Sequence, residues 1–109
     1  MIIVTGSVVA RADSLEQLLA LSLEHVRRSR AEAGCISHAV YRDAENPLRL
    51  VFVEEWADRA ALAAHFAVPA SRAFAKAVGA LAAEPPTMSL YDATRLPLPA
   101  RIPPRPQTD

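Results

Sequence analysis

Apolar and polar residues alternate with a period of two over residues 2–10: Ile2, Val4, Val8 and Ala10 point one way, and Ile3, Thr5, Ser7 and Val9 the other. This predicts a strand with one fully apolar face. The period then lengthens. Asp13-Ser14 opens a helix in which Leu15, Leu18, Leu19, Ser22 and Val26 fall on one side. Ser14 and Gln17 are spaced as a capping box, and Gly34 stands where a C′ residue would end the helix. Leu21 lies off the stripe, and His25 flanks it and reads as a surface residue. Arg27, Arg28 and Arg30 read as a solvated, dipole-compatible end.

Alternation returns from Cys35 to Asp43. Ala44-Glu45-Asn46-Pro47 is turn chemistry, and Leu48–Trp56 alternates again, so the two runs predict a hairpin. Leu50, Phe52, Glu54 and Trp56 share one face of the second strand. Asp58 is a suitable N-cap for a helix from Arg59 to about Ala67 with Leu62, His65 and Phe66 inward. Pro69 breaks it. A further helical piece over 70–82 turns Phe74, Ala77, Val78 and Leu81 inward and Arg72 and Lys76 outward. Pro85-Pro86 stops it, and 87–94 predicts a last strand. Residues 96–109 hold Pro97, Pro99, Pro103, Pro104 and Pro106, the composition of an extended tail.

The order β-α-β-β-α-β predicts an α+β, ferredoxin-like domain over residues 1–95, followed by a Pro-rich tail over 96–109. In that arrangement both helical layers cover one face of a four-stranded antiparallel sheet. The other face is left bare, which favours a homodimer. At 109 residues and 51% hydrophobic composition the chain makes one domain with a sufficient core. A lone domain of this size buries only about two-thirds of its unfolded surface, so pairing would help it.

Twelve basic and twelve acidic residues give a net charge of +0. No charge block points to nucleic acid or to an anionic membrane. No run reaches the roughly 20 apolar residues of a membrane span, and the N-terminal residues do not resemble a signal peptide. The single Cys35 excludes an internal disulfide. These features together read as a soluble cytoplasmic protein.

Chemistry-bearing residues are few. The three histidines are scattered, with no His-x-x-x-His or Cys-x-x-Cys spacing, so no metal site is expected. Three glycines offer no phosphate loop. Cys35 has no neighbouring His or Asp that would make it a nucleophile. His38 and Tyr41 lie on opposite faces of one strand, so at most one can line a given pocket; Tyr41 shares its face with Cys35 and Ala39. His65 reads either as an acid/base group or as a structural histidine that locks helix to strand. Glu54, on an inward face, needs a partner, and His65 or Ser22 would serve. Trp56 reads as core or as a pocket wall.

Glu32-x-Gly34-Cys35, Tyr41, Glu54-x-Trp56, Ala61-Leu62-x-x-His65 and Phe74, in this order, resemble the antibiotic biosynthesis monooxygenase (ABM) domain, including the small quinol monooxygenases. The resemblance covers roughly residues 1–94. It implies a dimeric α+β barrel with a pocket between sheet and helices. It also implies oxidation of a phenolic, quinol or anthrone-type substrate by O₂ without flavin, haem or metal. By the same resemblance His65 and Glu54 would be catalytic, with Glu54 supporting His65, and Trp56, Phe52, Phe66, Tyr41 and Phe74 would bind substrate. The haem-degrading branch is disfavoured, because the first strand offers Thr5 and Ser7 where those proteins carry Asn. Two other classes stay open: an isomerase on the same scaffold, and a non-catalytic ligand-binding dimer.

Overall fold

The computed structural model describes residues 1–99 and Arg105. Its elements are β1 (Ile2–Val9), α1 (Leu15–Ser29), β2 (Cys35–Arg42), β3 (Arg49–Trp56), α2 (Arg59–Ala67), α3 (Pro69–Leu81) and β4 (Thr87–Asp92). The strands form one antiparallel sheet in the order β2-β3-β1-β4. This is the expected ferredoxin-like arrangement, with the second helix divided at Pro69. A proline has no N–H to donate and pushes the residue before it out of the helical region. Val68 is accordingly extended, and Pro69 begins α3. Among the described residues no helix is long and apolar enough to cross a membrane. The Pro-rich tail predicted for 96–109 falls outside the described residues apart from 96–99 and Arg105.

The apolar core is split in two. Val8, Leu18, Val26, Leu50, Phe52 and Val78 anchor one cluster; Ile2, Val4, Trp56 and Leu62 form the other. Burying one such aliphatic side chain contributes roughly 1.5–3 kcal/mol. The clusters meet β3 at Phe52 and at Trp56. Glu54 occupies the inward position between these two, so a polar group lies where the core divides.

Several local expectations are corrected. Ser14 is the N-cap of α1 but makes no capping hydrogen bond. Its Oγ instead donates to the Leu81 carbonyl at 2.7 Å and accepts from the Arg11 N–H at 3.0 Å, tying α1 to the end of α3. Arg28 and Arg30 are not simply solvated. Arg28 reaches the ring of His25, and Arg30 Nε donates to the His38 carbonyl at 2.9 Å. Gly34 lies beyond the end of α1, at the entry to β2, with φ +80°. A Cβ there would fall 2.5 Å from Ala61 Cβ, so α2 packs directly on this backbone. The register of β2 shifts between Cys35 and Ser37. This bulge turns Cys35 inward against the Trp56 cluster, away from the face of Tyr41. Asp58 caps α2 as predicted, accepting from the Ala61 N–H at 2.8 Å.

Candidate functional site

His25, His38 and His65 reach one point from three elements. On α1, His25 is three residues after Ser22 and four before Ser29, which places it on the buried face with Val26. It is 5% exposed, not the surface residue expected. His38 faces inward on β2 directly opposite Glu54 on β3 and is 1% exposed. His65 lies one turn after Leu62 on α2, and both are buried. The ring centres are 5.2 Å (His25–His38), 5.3 Å (His25–His65) and 5.7 Å (His38–His65) apart. One nitrogen from each ring lies within 4.8 Å of the others. Histidines that are scattered along the sequence are therefore gathered in space. Side chains far apart in sequence share a site once α1, β2 and α2 pack together.

The partners differ from those expected. Glu54 does not support His65. Its Oε1 accepts from Trp56 Nε1 at 2.9 Å and lies 3.2 Å from His38 Nε2. Burial pushes the Glu54 carboxyl up, but His38, the Trp56 N–H and His65 outweigh it, and the net shift is downward. Glu54 is thus ionised at neutral pH. Ser22 Oγ makes no hydrogen bond. His65 is held instead by Glu32, whose Oε1 is 2.9 Å from its Nδ1. With that carboxylate accepting, Nδ1–H donates and Nε2 is the nitrogen left free of Glu32. His25 stacks on Phe74 at 4.1 Å, and Arg28 Nη2 donates to its Nδ1 at 3.1 Å. Burial, the two other histidines and Arg28 lower its pKa to about 3, against a smaller opposing effect of Glu54. His38 Nε2 faces the Glu54 carboxylate at 3.2 Å, whereas its Nδ1 has no hydrogen-bond partner.

A cavity of about 250 Å³ opens beside this cluster. His25, His65 and Glu54 line it together with Phe52, Phe66 and Phe74. Five of the seven predicted site residues therefore share one cavity. The other two do not. Trp56 is 0% exposed and packs its ring 4.5 Å from that of His65, so it is a core residue beneath the site rather than a wall. Tyr41 is 58% exposed on the opposite face of the sheet, because positions 38 and 41 differ by an odd number within the regular part of β2. Phe66 is 41% exposed and reaches the cavity from the rim of α2. Arg72, expected to point away, also lines it. Burial raises the Cys35 thiol pKa, with Glu32 and Glu54 adding to the effect and Arg30 opposing it, so Cys35 is a poor nucleophile.

A second hollow of about 400 Å³ lies between α2 and β4. Its walls include Leu62, Phe66, Leu90 and the exposed Arg59–Asp92 ion pair. That pair holds both groups in their charged forms, leaving no proton acceptor of near-neutral pKa. The smaller cavity is the one with chemistry in it.

Two of the residues missed had a signal in the sequence. His25 follows Leu18 by seven residues and Ser22 by three, so it belongs to the helical stripe. The turn at 44–47 pairs Arg42 with Leu50 and therefore His38 with Glu54. Nothing in the sequence places Glu32 beside His65, because that contact joins the loop after α1 to α2.

The ABM family profile, described as antibiotic biosynthesis monooxygenase, matches residues 1–77. An uncharacterized Synechocystis protein is 36% identical over 90 residues, covering 83% of this chain; the chain spans 61% of the length of that relative. Among solved structures, an antibiotic biosynthesis monooxygenase superposes with a TM-score of 0.80 at 29% identity, covering 87% of this chain and all of the other. A Deinococcus radiodurans protein provisionally assigned to the same class gives 0.84 at 25% identity, over 88% and 95%. A Mycobacterium tuberculosis protein gives 0.81 at 27%, over 87% and 96%. With the profile spanning most of the folded chain and the same architecture in these structures, the protein belongs to the antibiotic biosynthesis monooxygenase family.

Proposed function

We propose that the protein oxidises a small phenolic or quinol-type aromatic substrate with O₂, using the substrate's own anion as the reductant. The observation that carries this reading is the cavity lined by His65, held by Glu32, and ionised Glu54 together with Phe52, Phe66 and Phe74. The aromatic walls suit a planar ring. His65, oriented by Glu32, accepts the phenolic proton. The electron-rich phenolate transfers one electron to O₂, and the substrate radical and superoxide then combine on carbon. Loss of water from the resulting peroxide leaves a quinone. One oxygen atom enters the product and the other leaves as water, so the step balances with no further reductant. The cavity volume is below the roughly 300–1,000 Å³ of ordinary ligand sites, which favours a one- or two-ring substrate over a larger anthrone.

The bare face of the sheet supports a homodimer. Ile3, Ala39, Tyr41, Val51, Val53 and Tyr91 share that face by strand register, with Tyr41, Val53 and Tyr91 exposed. Two such faces packed together would make the α+β barrel and bury this apolar surface.

The test is oxygen uptake with a panel of benzo- and naphthohydroquinones, corrected for autoxidation. Uptake should depend on the protein and fall by about 100-fold or more in His65→Gln, the usual contribution of a positioned base. Unchanged uptake in a folded His65→Gln protein would remove His65 as the base. Turnover without O₂ consumption would point to an isomerase, and binding without turnover to a ligand-binding protein.

A further inference from the structure

We propose that His25, His38 and His65 form a binding site for a divalent transition metal of the zinc type. This goes beyond the oxidation proposed above and does not rest on it.

The geometry carries the proposal. A tetrahedral zinc site with Zn–N of roughly 2.0–2.1 Å holds its nitrogens about 3.3 Å apart and its imidazole centres about 5 Å apart. Here the centres are 5.2, 5.3 and 5.7 Å apart. The nitrogens already lie within 4.8 Å of one another, so small ring rotations close the site. The chain has three histidines, and all three are in this cluster.

The second observation is the half-satisfied ring of His38. Its side chain is fully buried; Nε2 faces the Glu54 carboxylate at 3.2 Å, but Nδ1 has no hydrogen-bond partner. A buried polar atom without a partner costs roughly 1–3 kcal/mol and calls for an explanation. A cation shared with His25 and His65 would supply the missing partner. The third observation is Glu32. A ligating histidine commonly gives its other ring N–H to a carboxylate, which fixes the tautomer and the ring orientation. Glu32 Oε1 holds His65 Nδ1 in that manner, leaving Nε2 as the donor atom. Glu54, 3.2 Å from His38, supplies negative charge beside the site.

One group opposes binding. The Arg28 guanidinium donates to His25 Nδ1 and must swing toward Glu24, 3.7 Å from its Nη1, as His25 turns to the metal. An all-imidazole set selects zinc, cobalt, nickel or copper over magnesium and calcium. A bound metal takes the Nε2 lone pair of His65, so zinc should also inhibit any chemistry that uses His65 as a base.

The test uses untagged full-length protein stripped with chelator, titrated with Co(II) and followed by its visible d–d bands. Zn(II) affinity is then read by competition with a chromophoric chelator. One metal should bind per chain. Glu32→Gln should weaken binding about 10–100-fold, the usual effect of losing an outer carboxylate partner, and His38→Gln should weaken it more. Where His38→Gln fails to fold, His25→Phe decides, because a phenyl ring keeps the stack on Phe74. Absence of 1:1 binding by the wild type, or unchanged affinity in His25→Phe, would overturn the proposal.

Discussion

Acidification should weaken this fold through His25 before it does so through Glu54. The ring is buried against Phe74, beside two more histidines and Arg28, and its pKa falls from 6.5 to about 3. A group whose pKa is lower in the folded state binds more protons when unfolded. Stability therefore rises with pH across the interval between the two values and falls as pH drops through it. Each pH unit within that interval is worth about 1.4 kcal/mol per proton. Between about pH 7 and pH 4.5, integration of the two titration curves gives a loss of about 2.5 kcal/mol from His25 alone. That is a large share of the roughly 5–15 kcal/mol that stabilises a typical domain. Glu54 has the same sign, because its carboxyl pKa is lowered, but its contribution is lost only as pH falls below the ordinary carboxylate value of 4.5. The interval above pH 4.5 thus separates His25 from Glu54, and comparison with a His25 variant separates it from the other two histidines. The assay is urea unfolding by far-UV circular dichroism at several pH values, with EDTA present so that metal binding plays no part. His25→Phe keeps the stack on Phe74 and cannot titrate. Wild type should lose about 2.5 kcal/mol more than this variant over the interval. Equal losses in the two proteins would mean that His25 does not stay neutral in the folded state, and the account of its burial would fail.

Two further perturbations test the packing. Gly34→Ala sets a Cβ 2.5 Å from Ala61 Cβ at a residue with φ +80°; a loss of about 2 kcal/mol or more is expected from strain plus clash, measured as the shift in urea midpoint. Val53→Asp places a charge in the middle of the bare sheet face. It should shift the protein from dimer to monomer in sedimentation velocity, and a wild type that is itself monomeric at micromolar concentration would contradict the barrel.

Element types and their order were legible in the sequence, because they follow from local periodicity and from backbone chemistry. The period of two in 2–10 and 48–56 requires strands with one apolar face. Pro69 has no N–H and so must interrupt a helix, and Asp58 has a carboxylate placed to accept from the first turn. Inward faces follow from the same arithmetic, which puts Phe52 and Glu54 on one strand face and turns His65 and Phe74 inward on their helices. Tertiary packing decided everything that depends on two elements meeting. Ser14 could have capped its own helix, but the Leu81 carbonyl comes within 2.7 Å and takes the hydroxyl. Glu54 could have paired with His65, but cross-strand register sets it against His38, and His65 finds Glu32 from a loop 33 residues earlier. A bulge near Ile36 inverted the facing of Cys35, because one extra residue reverses every alternation before it. The convergence of His25, His38 and His65 belongs to the same class. Sequence separation carries no information about distance once a helix crosses a sheet, so three residues with no motif spacing come to share one buried point.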